Sequence, residues 1–371
     1  MNIKNLIASN LKYIGGKTTN RKLVVFESDD WGSNRIASKE ALYSLKKIGV
    51  LNDNSSHYDK YDTIARTKDL EILFETLTCV KDCNGNNAVF TTFLNPVNPD
   101  FERIKQDNYQ NYYYETFFET LNRTGEREQV ETLWMQGLSS NIFSLAYHSR
   151  EHLCFPLWMD FLKKGEPVLR QAMDHNFYSV PLEGLPHWAS SFRPPLFFTN
   201  KDQKEQIKKS LIEGIHIIKK MFGTFPYVFC PGNGISHIDF DKVLSHEGVI
   251  AIVTNRFRKE PDGKGKVRHR YMTNSWKNEF GQMYYYRNSC FEPTYSKNSV
   301  NFCLDQIKNA FRWHKPAIIC SHRVNYIGFL DPSNRDKGLK ELRTLLQQIV
   351  KRWPDVEFIS SNDYAKILFE K

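Results

Sequence analysis

Long apolar runs are missing from this chain of 371 residues. No stretch approaches the roughly 18 consecutive apolar residues that a membrane-spanning helix needs. The first ten residues include a lysine, but their apolar segment is too short for a signal peptide. Internal repeats and low-complexity linkers are also absent. We therefore expect a cytoplasmic protein without a membrane span.

Cysteine is sparse and irregularly spaced. The seven cysteines are Cys79, Cys83, Cys154, Cys230, Cys290, Cys303 and Cys320. No two of them form the Cys-x-x-Cys pair of a zinc ribbon, and several lie inside apolar runs. We expect reduced core residues rather than a disulfide framework.

Acidic residues are fewer than basic ones, which gives a formal net charge of +9. This charge would suit an anionic partner. The basic residues are spread along the chain, however, with only short runs at 204–209 and 256–266. Such a spread is typical of solvated faces and loops, so we expect no nucleic-acid partner.

Strand-like and helix-like patterns alternate along the chain. Apolar runs bounded by turn residues predict strands at 23–28, 88–93, 143–147, 227–230, 249–254, 282–286, 316–321 and 356–360. Apolar residues at helical spacing predict helices at 68–80, 201–221, 300–313 and 337–353. This alternation favours a parallel sheet, and seven or eight strands favour a closed or distorted (β/α) barrel. We expect one domain over 1–371, with inserted segments near 95–131 and 161–199.

Three polar clusters each follow a predicted strand. Asp29 and Asp30 follow the first run, the segment 148–152 reads His-Ser-Arg-Glu-His after the third, and His322 follows the run 316–321. The carboxyl ends of barrel strands meet at one face, where functional side chains concentrate. Two imidazoles four residues apart on a helical turn share one face and can bind one divalent metal.

These residue types suit metal-assisted hydrolysis. A metal held by one carboxylate and two neutral imidazoles keeps open coordination positions and lowers the pKa of bound water towards 7. Of two consecutive aspartates, only one can point at the metal, and the other is free to accept a proton from the water. His322 arrives from a different strand, where it can protonate a leaving group.

In this order and context, the three clusters resemble the polysaccharide deacetylase family, carbohydrate esterase family four, and more narrowly a divergent bacterial branch of it. The resemblance implies a distorted (β/α) barrel that removes N- or O-acetyl groups from a carbohydrate by cleaving a non-peptide amide or an ester. It also implies that Asp29 is the base, that His322 is the acid, and that Asp30, His148 and His152 bind the metal. We expect zinc, with cobalt or nickel as substitutes, because such mixed sites discriminate poorly by affinity.

The chain departs from the family pattern after the fourth predicted strand. Cys230 stands where the family has an arginine that orients the catalytic aspartate, so Arg150 or Arg287 must take that role. An Arg-Pro-Pro triplet at 193–195 is more similar in sequence to the family's motif. It precedes the long helix predicted at 201–221 instead of following it, so we interpret the similarity as a coincidence. The partner of His322 stays unassigned.

Several residues beside these motifs are candidates for substrate contacts. Arg323, Asn325 and Tyr326 follow His322 on a loop, and arginine and asparagine offer several donors to hydroxyl or phosphate groups. Asn233 and Arg287 complete this set. The positive charge favours a carbohydrate that carries phosphate or carboxylate groups.

Two other functions remain open from the sequence. The segment 148–152 also fits the His-x-x-Glu-His pattern of a metallopeptidase, in which Glu151 would be the base. That pattern leaves Asp29, Asp30 and His322 without a role and belongs inside a long helix. The second alternative is a glycan-binding barrel that has lost catalysis, which the missing arginine favours.

Overall fold

Strands and helices alternate along most of the chain. The structure is a computed structural model that describes Tyr13 and residues 15–370, so the prediction about the first ten residues lies outside the described part. Its strands are β1 Lys22–Trp31, β2 Phe90–Leu94, β3 Val97–Pro99, β4 Tyr114–Thr116, β5 Phe143–Tyr147, β6 Val228–Phe229, β7 Ala251–Val253, β8 Phe257–Pro261, β9 Val267–Tyr271, β10 Trp276–Lys277, β11 Met283–Tyr285, β12 Ser289–Cys290, β13 Ala317–His322 and β14 Val356–Phe358.

The helices fill the connections between these strands. They are α1 Lys39–Lys47, α2 His57–Tyr61, α3 Thr67–Leu77, α4 Phe101–Gln106, α5 Phe117–Leu121, α6 Arg127–Ser139, α7 Phe155–Lys163, α8 Pro167–Met173, α9 Lys201–Phe222, α10 Ile238–His246, α11 Ser299–Arg312, α12 Pro332–Arg352 and α13 Ser361–Phe369. None of the described helices is both long enough and apolar enough to cross a lipid bilayer. The seven cysteines carry free thiols.

One large sheet contains the strands of the barrel. Parallel pairing runs in the order β12, β13, β1, β2, β5, β6, β7 and β11. From β1 to β11 this is the order along the chain, and the later strands β12 and β13 precede β1 on its other side. β10 adds an antiparallel strand beside β11, and β14 pairs with the start of β1. Sequential parallel order with helical crossovers is the topology of a (β/α) barrel.

A single chain segment joins the two edges of this sheet. β11 pairs with β7 at one edge of the parallel part of the sheet, next to the antiparallel β10, and β12 pairs with β13 at the other edge. Only residues 286–288 separate β11 from β12 in sequence. Four Cα–Cα steps span at most about 14 Å. The two edges are therefore close together, and the sheet curls into the predicted distorted barrel.

All eight predicted strands are present, with shifts of a few residues at their ends. The prediction for 356–360 gives β14, which pairs only with β1 and lies off the main strand order. Its place in the barrel is taken by β12, a strand of two residues that is too short to show an apolar pattern. The hairpins β3–β4 and β8–β9 were also not predicted.

Side chains of β1 alternate between two environments, as the period of a strand requires. Val24 and Phe26 pack outward in the large core cluster beneath the surrounding helices. Val25 faces the opposite way into the barrel interior, in a smaller cluster with Phe93 and Tyr285. Residues Glu27 and Asp29 follow Val25 at the same period, which directs their carboxylates into the interior.

The last helix, α13, contributes to this interior cluster from one end of the barrel. Its buried residues Tyr364, Ala365 and Leu368 belong to the same cluster as Val25. The Tyr364 ring meets the Tyr285 ring edge to face at a centroid distance of 5.2 Å. The interior is therefore filled with side chains, as in other small barrels.

A separate hydrophobic core lies under the segments that we predict to be insertions. It combines Ile36 and Leu45 with residues of α4, α7 and α8 and of the stretch 177–197. Tyr112 packs on Phe155 with ring centroids 4.7 Å apart. These inserted aromatic residues thus pack as a cap with its own core.

The close approach of α12 to the loop after β13 requires a glycine, which gives a test of the fold. A Cβ on Gly338 would lie 1.7 Å from the backbone oxygen of Asn325. We expect Gly338→Ala to lower the free energy of unfolding by about 2 kcal/mol, because overpacking forces the backbone to move. Urea unfolding measures the change. Lys340→Ala, at an exposed position of the same helix, is the control, and equal midpoints for both variants would contradict this packing.

Candidate active site

The end of β1 directs two consecutive aspartates towards the same region. Successive side chains of a regular strand point to opposite faces. Here the register of β1 against β2 shifts between Ser28 and Trp31, and Asp30 adopts a left-handed conformation with φ 70°. Both carboxylates are buried, with different partners. The irregularity at Asp30 thus lets neighbouring residues of one strand serve one site.

The two histidines come from a loop between β5 and α7. The prediction of a helical turn at 148–152 was wrong, because these residues are not helical and Ser149 has φ 79°. The Asn95 side chain donates hydrogen bonds to the carbonyls of His148 at 2.6 Å and of Ser149 at 3.1 Å. The loop is therefore fixed by the residue that follows β2.

Asp30, His148 and His152 form a compact buried group. Asp30 Oδ1 lies 3.5 Å from His148 Nε2 and 3.3 Å from His152 Nε2, and the three ligand atoms lie within 4.8 Å of one another. Ligands of a tetrahedral ion with bonds of about 2.1 Å lie about 3.4 Å apart. The separations therefore suit one metal ion held between the three side chains.

The ring nitrogens of the histidines are also suited to metal binding. His148 Nδ1 lies 2.7 Å from the carbonyl oxygen of Cys230, a contact in which Nδ1 carries the proton and Nε2 presents its lone pair. Burial lowers the pKa of His152 to about 3, so that this imidazole is neutral. His152 Nδ1 is buried and has no hydrogen-bond partner among the described residues. These residues fit a divalent metal.

Asp29 has a different set of partners. Arg287 donates hydrogen bonds to both of its oxygens at 2.6 Å, and a third to Glu27 Oε2 at 2.6 Å. Burial raises the pKa of Asp29, but the positive charge of Arg287 outweighs it and the pKa lies below its usual value. Of the two arginines proposed for this role, Arg287 pairs with Asp29, whereas Arg150 pairs with Glu151 and Glu213.

Glu27 fixes Arg287 from the opposite side. This carboxylate is fully buried and accepts further hydrogen bonds from the hydroxyl groups of Tyr285 and Ser361. The guanidinium therefore lies between two carboxylates. It binds both oxygens of Asp29 and one oxygen of Glu27, and the other oxygen of Glu27 is bound by Tyr285 and Ser361. An arginine that is mostly shielded from solvent and bound to both carboxylates holds Asp29 in one orientation.

His322 lies next to Asp29, because the two residues are direct partners in the pairing of β1 with β13. Its Nε2 is 3.8 Å from Asp29 Oδ2, and its Nδ1 is 2.6 Å from Glu292 Oε1. Burial lowers the pKa of His322, but Glu292 and Asp29 more than compensate and raise it to about 9. The imidazole is thus protonated at neutral pH.

A cavity of about 400 Å³ opens beside Asp29 and His322. Its wall is rich in amide, hydroxyl and thiol side chains. The residues of the wall include Cys230, Asn233, Thr254, Asn255, Arg287, Asn288, Ser289, Cys290, Gln306 and Cys320. Asn233 and Arg287, both predicted to contact substrate, line this cavity.

The other three predicted substrate contacts are not at the cavity surface, and that prediction was wrong. Arg323, Asn325 and Tyr326 are each 0% exposed. Arg323 binds Asp62 at 2.7 Å, and Tyr326 packs in the core with its hydroxyl 2.6 Å from Ser321 Oγ. Their donors are used inside the protein, because the loop after β13 turns inward.

Asn325 supports the site from inside the protein instead of contacting a substrate. Its amide donates to Glu292 Oε2 at 2.8 Å and to the carbonyl of His322 at 2.9 Å. It therefore positions the carboxylate that holds His322. Glu292 itself was missed by sequence reasoning, although it follows the short strand β12 at the same end of the barrel as the other site residues.

Glu27 was missed for a similar reason. Its position inside an apolar strand was a signal, since a buried carboxylate needs a cationic partner. Glu151, the base of the alternative reading, accepts hydrogen bonds from Arg150 at 2.7 Å and Tyr112 at 3.2 Å.

Comparisons with known proteins give distant structural likenesses. No family model and no curated protein sequence matches the chain. Solved structures that it resembles include a candidate glycoside hydrolase/deacetylase from Parabacteroides distasonis, at 9% identity and a TM-score of 0.48, with 94% of this chain and 72% of that chain covered. A probable polysaccharide deacetylase from Pseudomonas aeruginosa gives 10% identity, a TM-score of 0.44 and coverage of 94% and 91%. An allantoinase gives 10% identity, a TM-score of 0.43 and coverage of 94% and 90%.

Polysaccharide deacetylases are thus among the structures that this chain resembles. The geometry of the site is the basis for the function proposed below.

Arg287 gives a test of this geometry. We expect Arg287→Ala to lower the free energy of unfolding by about 3–5 kcal/mol, because it leaves the buried carboxylates of Glu27 and Asp29 without a counter-ion. Arg21→Ala is the control, since Arg21 makes a similar two-bond pair with Glu357 at an exposed position, where a pair contributes less than about 1 kcal/mol. Chemical unfolding of both variants measures the difference, and equal losses would show that the buried pair is not needed.

Proposed function

We propose that the protein is a metal-dependent hydrolase that removes an N- or O-acetyl group from a carbohydrate. One observation supports this function above the others. The two consecutive aspartates have separate partners, since Asp30 faces two imidazoles while Asp29 faces His322 and Arg287. A metal site beside an acid–base pair is what hydrolysis of an amide or ester requires.

Asp30, His148 and His152 would hold the metal. We expect zinc, with cobalt or nickel able to substitute. When bound, such an ion supplies an acidified water and a positive charge for the oxyanion of the acetyl group. The carboxylate and the two neutral imidazoles leave positions for that water and for the substrate.

Asp29 would accept the proton of the attacking water. Arg287 keeps this carboxylate ionised and fixes both of its oxygens, so that the base is present before substrate arrives. Because Arg287 lowers the pKa of Asp29, this carboxylate is a weaker base than a free aspartate. Arg287 also fixes the orientation of the Asp29 carboxylate, and orientation of reacting groups contributes a large share of the rate enhancement in enzymes.

His322 would donate a proton from Nε2 to the departing nitrogen or oxygen. Glu292 binds the other ring nitrogen and keeps the imidazole protonated at neutral pH. The environments of Asp29 and His322 therefore push their pKa values apart, one below and one above neutrality. Such a pair has the charge states that a base and an acid need.

The cavity supports a hydroxylated substrate. Its amide and hydroxyl side chains, among them Asn233, Asn255 and Thr254, can donate to and accept from sugar hydroxyls. Polysaccharide deacetylases among the similar structures agree with this choice of substrate class. Anionic sugars fit the positive net charge best.

The two alternatives are less well supported. A metallopeptidase of the His-x-x-Glu-His type needs its glutamate beside the metal water, but Glu151 is bound to Arg150 and Tyr112 in a non-helical loop. A glycan-binding barrel without catalysis was favoured by the missing arginine. Arg287 now occupies that role, which leaves this alternative without its main support.

Metal binding can be tested without turnover. We expect the protein to bind about one equivalent of zinc in calorimetric titration, because the three ligands form one site. Asp30→Asn and His152→Ala should reduce the affinity at least about tenfold, in the range seen when ligand sets are disturbed. His216→Ala is the control, because His216 is exposed and pairs with Glu247. Unchanged binding in both site variants would exclude this metal site.

Acetate release separates the enzymatic alternatives. On acetylated sugar oligomers, Asp29→Asn should lower kcat at least about a hundredfold, the usual contribution of a general base. Glu151→Gln should retain most activity and bound metal. The metallopeptidase alternative demands the opposite pattern together with cleavage of peptides. If the wild-type protein binds metal and sugar but releases no acetate, the non-catalytic alternative replaces the present one.

A further inference from the structure

Much of the positive charge of the protein lies in one hairpin. Residues 256–271, which contain β8 and β9, carry seven basic and two acidic side chains, a net charge of +5 out of +9 for the whole chain. Arg258 is buried and bound to Asp241, but Lys264, Lys266 and Arg268 are exposed. Among the described residues, no carboxylate oxygen lies within 4.0 Å of the side-chain nitrogens of these three.

The hairpin borders the candidate active site. Its first strand starts two residues after Asn255, which lines the catalytic cavity. The backbone of Ser236 donates to the carbonyl of Lys259 at 3.1 Å, which ties β8 to the loop that carries Asn233. A ligand that extends from the cavity therefore meets this basic surface.

A second cavity, of about 520 Å³, lies along the β9 side of the hairpin. Its wall includes Arg270, Tyr271, Trp276 and Lys277 together with one acidic residue, Glu279, and Arg270 Nη1 lies 3.7 Å from Glu260 Oε1. We refer to this cavity as the aromatic–basic cleft. Tyr271 is 62% exposed and Trp276 is 61% exposed. Large aromatic rings this exposed contribute little to the core, and exposed aromatic patches beside charges mark binding surfaces.

Hydrogen bonds join the segment that lines the cleft to Tyr286, which lies next to the active-site residue Arg287. Asn274 accepts a hydrogen bond from the backbone of Tyr286 at 3.2 Å, and the Tyr286 hydroxyl donates to the carbonyl of Met272. Tyr286 directly precedes Arg287, the partner of Asp29. The segment that lines the cleft is thus fixed to the segment that builds the active site.

We propose that the aromatic–basic cleft binds the continuing chain of an anionic polysaccharide whose acetylated sugar occupies the catalytic cavity. The proposal rests on the function proposed above. Tyr271 and Trp276 offer faces on which sugar rings stack, while Arg270 and Lys277 pair with carboxylate groups. Nucleobases also stack on aromatic rings. A glycan is the better occupant, because the segment that lines the cleft is hydrogen-bonded to Tyr286, the residue before Arg287, and the function proposed above places a carbohydrate at that site.

Calorimetric binding of short oligomers tests the cleft. The probes are hexagalacturonate, which carries carboxylates, neutral chitohexaose, and hexathymidylate as an anion that is not a glycan. We expect hexagalacturonate to bind at least about tenfold more tightly than chitohexaose and hexathymidylate, since charge adds to stacking. Arg270→Gln with Lys277→Gln should remove this preference. Tyr271→Ala and Trp276→Ala should each weaken both glycans about tenfold, as loss of an aromatic anchor does.

Matched changes on α1 are the control. Tyr43 is 71% exposed, and Lys46 and Lys47 are exposed on the same helix. Tyr43→Ala and the pair Lys46→Gln with Lys47→Gln should leave all three affinities unchanged, which shows that the loss is specific to the cleft.

Three results would overturn the proposal. These are wild-type affinities in the aromatic variants, equal binding of neutral and anionic glycans, or hexathymidylate binding as tightly as hexagalacturonate. The last result would assign the surface to nucleic acid. Because binding needs neither metal nor turnover, its outcome is independent of whether acetate release is observed, and failure of the cleft is distinguishable from failure of the catalytic function.

Discussion

The site depends on one buried interaction, the ion pair of Arg287 with Asp29 and Glu27. Two carboxylates in the interior of a barrel are costly unless a cation and further donors satisfy them. Arg287 supplies hydrogen bonds to both, and Tyr285 and Ser361 complete the shell of Glu27. The orientation of the proposed base is therefore part of the interior packing of the protein.

The second constraint is the backbone irregularity at Asp30. A regular strand would send Asp29 and Asp30 to opposite faces of the sheet, and only one could reach the site. The left-handed conformation of Asp30 allows one to face His148 and His152 and the other to face Arg287. Aspartate tolerates this conformation better than most residues, which makes it suitable at this position. A single strand thereby serves two chemical tasks.

The sequence predicted the barrel and the residues of the proposed centre because these depend on local patterns. Apolar runs in the sequence predict strands, and a polar residue directly after such a run indicates where the strand ends. The sequence limited the arginine that orients Asp29 to Arg150 or Arg287 but could not choose between them, since Arg287 and Asp29 lie 258 positions apart and only barrel closure brings them together. It also mispredicted Arg323 and Tyr326, because the direction in which a loop turns depends on tertiary packing.

The segment that closes the barrel also carries Arg287, and this has a consequence for the order of folding. Sheet closure and neutralisation of the interior carboxylates occur together, because β11 and β12 flank this arginine. Until residue 287 has been synthesised, the strand with Glu27 and Asp29 lacks the arginine that pairs with both carboxylates. Contacts of such high sequence separation form slowly, since loop closure must precede them. β1, which is made long before Arg287, is thus among the last of the described strands to reach its final electrostatic environment, and a competent centre forms late in folding.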